Sequence, residues 1–153
     1  VLLSHWTTPQ IQPRRFSTWI YAAPLRADDE VVIDGGEIHD HIWIAANDAL
    51  ERHRAGDMDM LPPTFITLMT VARYLTVDDL IAAELEKPVP YVLPVTFPVE
   101  GGGFVALYQG DAGYDAIDPE LPGARHRAMW IDGHWNYFYE GVAEEFPPLI
   151  EQD

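Results

Sequence analysis

The chain has no cysteine. That excludes a disulfide framework, a thiolate metal site and a cysteine nucleophile, and makes a reducing cytoplasm the expected compartment. Basic residues are scarce as well: one lysine and eight arginines stand against 25 acids, for a formal net charge of −16. Nucleic-acid surfaces need clustered Lys and Arg to replace the counterions along the phosphates, so no nucleic-acid partner is expected. No apolar run approaches the roughly 18–20 residues of a membrane span, and the N-terminus shows neither the basic nor the apolar region of a signal peptide. A G-x-S-x-G elbow, a P-loop and an H-E-x-x-H motif are also missing, which removes the templates of several hydrolase and nucleotide-binding classes.

What is there reads as one folded domain. The 153 residues are 48% apolar and 12% aromatic, enough for a single core. Residues 1–6 read as the tail of a strand, and Phe16 to Leu25 as a second strand whose nearly continuous apolar run predicts burial on both faces. Residues 37–45, EIHDHIWIA, alternate and predict a third strand. Helices follow: one capped by Asn47 and closed by Gly56, one started by Leu61-Pro62-Pro63-Thr64, and one opened by Thr76-Val77-Asp78-Asp79 and running to about Lys87. Beyond Pro88 the pattern returns to short strands around Gly101-Gly102-Gly103 and around Asp132-Gly133, the strongest hairpin signal in the chain. The order β-β-β, α-α-α, then a β-rich tail gives an α+β fold class.

Three groups of side chains are chemical candidates. Glu37, His39 and His41 fall on one face of the expected third strand, the two imidazoles about 7 Å apart by strand rise, a spacing that suits a shared metal or a polar solvent face. Six arginines fall in close pairs, Arg14-Arg15, Arg52/Arg54 and Arg125/Arg127; each pair suits a phosphate or carboxylate fork, or simple surface solvation. Asp111 and Asp115 flank Gly113-Tyr114, where the choice is between a cation and ordinary turn chemistry.

Residues 4–25, SHWTTPQIQPRRFSTWIYAAPL, resemble a segment of the Nudix hydrolase superfamily in the branch of coenzyme A and acyl-CoA diphosphatases. Trp6, Thr8 and Pro9 match that branch's W-x-T-P turn, and Arg14, Arg15, Phe16 and Thr18 its R-R-F-D-T strand, with Ser17 in place of the aspartate. Asp34-Gly35-Gly36-Glu37 with Trp43, Asn47-Asp48-Ala49-Leu50, and Leu61-Pro62-Pro63-Thr64 continue the resemblance. Gly110-Asp111 with Tyr114, Pro122-Gly123 with His126-Arg127, and Asp132-Gly133 with Trp135 close it. The superfamily's glutamate-rich signature, G-x5-E-x7-R-E-x2-E-E-x-G, is nowhere in these residues. In the family it precedes the W-x-T-P turn and is therefore expected upstream of Val1.

The resemblance implies a Nudix-like α/β/α sandwich with a mixed sheet, of which this chain would be the C-terminal part. Residues 1–87 would supply Nudix-like strands and helices and residues 88–153 a β-rich extension ending in a hairpin region. It implies a diphosphatase acting on CoA, acyl-CoA or a related nucleoside diphosphate derivative with Mg²⁺ or Mn²⁺, and inactive as this chain alone. Arg14, Arg15 and Trp6 would bind substrate, Phe16 would be core, and Glu37 would be an auxiliary metal or base residue or a structural acid. Two alternatives stand beside it: a non-catalytic Nudix-like module that binds a ligand or a protein, and an independent site at His39 and His41. Exposed strand edges make a homodimer, or association with the rest of a Nudix fold, the expected assembly.

Overall fold

The structure, a computed structural model, describes residues 1–26, 29–30, 32–33, 35–36, 40–99 and 103–151. It opens with a hairpin. Strand β1 (Leu2–Thr7) pairs antiparallel with β2 (Ser17–Tyr21), setting His5 against Trp19 and Trp6 against Thr18, with an irregularity between Leu2 and Ser4. The Pro-punctuated turn between them is tied at its neck: the Thr8 N–H donates to the Phe16 carbonyl at 3.0 Å, and the Phe16 N–H returns to Thr8 Oγ1 at 2.9 Å. On its other side β1 pairs in parallel with β3 (Tyr91–Val92), giving a three-stranded mixed sheet of order β2-β1-β3.

Three helices lie between these strands in sequence. α1 (Ala46–Arg54) is capped by the backbone of Ala45 without a side-chain bond, so Asn47 sits inside the first turn instead of at its head. Gly56, at φ +79°, ends that segment in the left-handed region glycine alone enters freely. α2 (Pro62–Val71) begins on proline, whose missing N–H is one the first turn would leave unpaired anyway. α3 (Val77–Leu85) has the expected cap: Thr76 Oγ1 accepts from the Asp79 N–H at 3.1 Å and donates to the Asp79 carboxylate at 2.6 Å.

The tail is an antiparallel meander of β4 (Val95–Val99), β5 (Gly103–Leu107), β6 (Arg125–Ile131) and β7 (His134–Glu140). Asp132 and Gly133 turn β6 into β7 with φ values of +53° and +85°, the pair of left-handed residues a tight two-residue hairpin requires. The core joins both sheets to the helices: Trp6 and Val92 from the first sheet, Leu50, Phe65 and Ile66 from α1 and α2, Ala106, Ala128 and Trp135 from the meander, and Tyr108 and Ile150 from the segments after β5 and β7. Helices and sheets are thus segregated along the chain, as in the α+β class. Among the described residues no helix is long and apolar enough to cross a membrane.

Three expectations change. β2 is exposed along nearly its whole length, because it forms the outer strand of its sheet among the described residues and only Ile20 packs against the core. Phe16, expected in the core, is 61% exposed just before it. The third strand expected over 37–45 does not appear in residues 40–45, which form no ladder before α1; residues 37–39 lie outside the described residues. Alternation of apolar and polar types is a pattern an irregular surface segment also shows when no partner strand is at hand.

Candidate functional site

The residues singled out from sequence are not brought to one place. Glu37 and His39 lie outside the described residues. His41 is exposed, and its backbone N–H donates to Asp40 Oδ1 at 2.8 Å. Among the described residues no group of three His, Asp or Glu side chains could hold a metal ion. Arg14 and Arg15 sit exposed on the turn between β1 and β2. Arg15 Nε donates to the Thr8 carbonyl at 3.2 Å, so one of the two helps hold its own turn. Trp6 is only 3% exposed: its Nε1–H donates to Ser4 Oγ at 3.0 Å and its ring meets Tyr108 edge-on at 6.0 Å. Trp6, for which the resemblance implies substrate binding, is thus a core residue in this structure.

The motif pieces at the end of the chain do assemble, into a buried polar knot. Asp111 is its centre. Oδ2 accepts from Arg127 Nε at 2.8 Å and from the His126 N–H at 2.9 Å; Oδ1 accepts from Arg127 Nη2 at 2.7 Å and from the Gly113 N–H at 2.9 Å. The remaining arginine nitrogen, Nη1, donates to the Pro119 carbonyl at 2.9 Å. Burial pushes the Asp111 carboxyl up, but Arg127 and the two backbone N–H groups outweigh it and hold the acid below the usual range. Gly113 is required by space: an added Cβ would run into the Asp118 carbonyl oxygen. Tyr114 closes the turn by donating to the Leu93 carbonyl at 2.7 Å. The Arg125/Arg127 pair and Asp111 are thus spent on the fold, Arg125 on the Leu121 carbonyl at 2.8 Å, and neither a cation nor a phosphate is needed to explain them.

The strongest candidate for a ligand is a cleft of about 520 Å³ whose lining includes the core residues Trp6, Ile66 and Val92. β1 and β3 supply Ser4, Trp6 and Val92, α2 supplies Ile66, Thr67 and Thr70, and a strap over 147–151 supplies Pro147, Pro148, Leu149 and Glu151. The strap is pinned to β7: Tyr137 accepts from the Leu149 N–H at 2.9 Å, the Tyr139 hydroxyl donates to the Phe146 carbonyl at 2.8 Å, and Ile150 is buried. At one rim stands an ionic cluster. Lys87 Nζ donates to Glu84 Oε1 at 2.9 Å, to Tyr74 Oη at 3.1 Å and pairs with Glu151 Oε1 at 2.9 Å. Tyr74 donates to Glu84 at 2.7 Å, and Arg73 holds both the carboxylate and the backbone carbonyl of Glu151. Partial burial would lower the Lys87 ammonium, but Glu151, Glu84 and Tyr74 more than compensate and raise it; the same lysine holds Glu151 low.

A smaller cavity of about 170 Å³ lies beside the cleft and shares Pro90, Val92, Pro147 and Leu149 with it, so the strap is the wall between them. Tyr108 and His126 line it, and their hydroxyl and Nε2 atoms are buried without a hydrogen-bond partner among the described residues. His126 gives its other nitrogen to the Gln109 carbonyl at 2.6 Å, and burial pushes its pKa down.

Sequence reasoning missed the rim cluster because Arg73 and Glu151 come from segments far from Glu84 and Lys87, which alone among the four are related by a local spacing of three residues. One signal was available: Lys87 is the chain's single lysine and is set directly before Pro88-Val89-Pro90.

Comparison with known proteins gives one relevant relative. The chain is 27% identical over 137 residues to the acyl-coenzyme A diphosphatase NUDT19 of Gallus gallus, an alignment covering 84% of this chain and 36% of that protein. The chain thus spans about a third of the length of the relative it matches. No protein-family profile matches it, and no solved structure does. The similarity is weak, and it agrees with a Nudix-type relationship.

Proposed function

We propose that this chain is the substrate-binding part of a Nudix-type diphosphatase acting on CoA or acyl-CoA. The observation that carries the reading is the similarity to an acyl-CoA diphosphatase along 84% of the chain. Arg14 and Arg15 are its phosphate-facing residues: they are exposed, close together and on a turn anchored at both ends, so a bidentate grip costs little ordering. Mg²⁺ or Mn²⁺ would neutralise the diphosphate and activate water in such a reaction. The described residues do not assemble a site for it. The Nudix glutamate signature is not in this sequence, so the reading gives the catalytic acids to another part of a Nudix fold and gives this chain binding and orientation, with Glu37 as an auxiliary.

The test is an assay of two proteins, the product of the native gene and this chain alone, each with acyl-CoA and Mg²⁺, following release of the two phosphomonoester products. The expected result is turnover by the gene product and none by the chain. In the gene product, replacing Arg14 and Arg15 together by alanine is expected to raise KM about tenfold or more, a loss of ~1.4 kcal/mol or more of binding. Turnover by the isolated chain would overturn the assignment of the acids. A gene product that binds nucleotide diphosphates saturably without cleaving them would replace the diphosphatase with a binding module.

A further inference from the structure

We propose that the exposed aromatic ladder of Trp19, His5 and Tyr91 binds the purine ring of a nucleotide, stacked on the outer face of Trp19, with its phosphates directed to Arg14 and Arg15. The inference deepens the proposed function: it rests on the reading of the two arginines as a phosphate grip and names where the base lies.

The ladder follows from the register of the first sheet. His5 stands on the central strand opposite Trp19 on β2 and Tyr91 on β3, so three rings line up across the three strands. Side chains alternate between faces along a strand, so His5 leaves β1 on the face opposite the buried Trp6. The His5 and Trp19 rings stack with centroids 4.5 Å apart and planes 8° from parallel, and Tyr91 leans on His5 from the other side at 5.0 Å. That stacking distance is close to the ~4.8 Å between neighbouring strands, so the planes stand upright on the sheet and their normals run across the strands. One indole face is covered by His5. The other points past β2, the outer strand of its sheet among the described residues. Trp19 is 52% exposed, and no second ring among the described residues lies against it. A further planar ring placed there continues the stack.

The shape and charge of the occupant follow from the same hairpin. A bicyclic indole overlaps best with a bicyclic heterocycle, and a base stacks on an aromatic side chain through its π-face alone. The His5 ring is held by Ser17, with Nε2 2.6 Å from Oγ, so the platform is ordered before a ligand arrives. Residues 1–25 contain Arg14 and Arg15 and no acid, in a chain that has 25 acids. Neither guanidinium has an acidic partner among the described residues. Arg15 is four residues from Trp19, at most about 14 Å of extended chain. A free ring face beside two unpaired cations matches a ligand that is aromatic at one end and anionic at the other. An apolar partner would cover the ring and leave both charges unanswered.

The experiment is calorimetric titration of the chain, without metal, with ADP, adenosine and pyrophosphate at one ionic strength. ADP is expected to bind about tenfold more tightly than either adenosine or pyrophosphate. Trp19→Ala is expected to weaken ADP about tenfold, and Trp19→Phe to keep most of the affinity, while both variants unfold at the wild-type urea midpoint. ADP binding no tighter than pyrophosphate, ADP affinity unchanged in Trp19→Ala, or no ADP binding at all would each overturn the proposal. A concentration-dependent dimer that Trp19→Ala abolishes, with no ADP bound, would overturn it in favour of a second copy of the chain on this face. The readout is binding and not turnover, so the two readings fail separately. A gene product that cleaves acyl-CoA while ADP affinity ignores Trp19 sinks the base site alone. Trp19-dependent ADP binding without any cleavage supports the base site and sinks the diphosphatase alone.

Discussion

Replacing Arg127 with methionine is expected to lower the free energy of unfolding by about 3–5 kcal/mol, the usual cost of stranding one member of a buried ion pair. The Asp111 side chain is fully buried and that of Arg127 nearly so, and four donors converge on the one carboxylate. Methionine keeps much of the volume but leaves the charge with only the Gly113 and His126 N–H groups. It also frees the Pro119 carbonyl from its donor. Urea denaturation of the wild type, Arg127→Met, Asp111→Ala and the double variant is the measurement. The double variant should lose less than the sum of the singles, by a coupling of about 1–3 kcal/mol, since removing the second charge relieves the first. Strict additivity would mean that the pair is not the organising contact of the motif.

The pH dependence of this pair has a definite sign. The folded-state Asp111 carboxyl is held below its unfolded value. Its contribution to stability is therefore fully present above the ordinary aspartate range near 4 and fades only as pH falls through the lower folded value. In the wild type this group makes no difference between pH 6 and 8, and acid unfolding should begin earlier once Arg127 is gone.

His53→Ala should cost about 2–6 kcal/mol by a different route, from two buried backbone groups at roughly 1–3 kcal/mol each. His53 is 1% exposed on α1 and bridges distant parts of the chain. Its Nε2 accepts from the Trp135 N–H at 3.0 Å, 82 residues away, which fixes the proton on Nδ1, and that proton is given to the Met58 carbonyl at 2.8 Å. The indole of Trp135 adds a bond of its own to the Met60 carbonyl at 2.9 Å. Alanine strands the strand N–H and the loop carbonyl and leaves a cavity among Phe65, Trp130 and His134, whose rings face the imidazole. Glutamine, which carries one acceptor and a donor, should recover part of the loss. If alanine and glutamine destabilise equally, packing and not hydrogen bonding is what His53 supplies.

Much of the local chemistry was legible. Thr76 with Asp79, Pro62 at a helix start, Gly56 at a helix end and Asp132-Gly133 at a hairpin all declare themselves through residues a few positions apart, because caps and turns are satisfied within one stretch of backbone. Their order also carries the α+β class. The site was far less legible. Burial of β2 was read from its apolar composition, but burial is a property of what lies across the sheet, which no single strand encodes. Trp6 and Phe16 exchanged places for the same reason. The role of Asp111 was open between cation site and turn until Arg127 appeared opposite it, and at the cleft rim Arg73 and Glu151 join Glu84 and Lys87 from segments that sequence spacing does not relate to them. His53 gave no signal at all; a histidine in a charged helical stretch, ERHR, reads as surface.

The parallel contact of β1 with β3 has a consequence in time as well as in shape. Each strand of the meander finds its neighbour next along the chain, and β1 finds β2 across one turn. His5 can meet Tyr91 only after the whole helical stretch between them has been drawn in. Entropy lost in closing so long a loop must be spent before the pairing returns anything, which makes such contacts late arrivals. Val92, buried on β3 beside Trp6, is thus placed to join after the rate-limiting step: Val92→Ala should hasten unfolding and leave the refolding rate nearly unchanged in stopped-flow measurements. The cleft has β1 and β3 among its walls, so a late pairing of these strands would also be the step that completes the cleft.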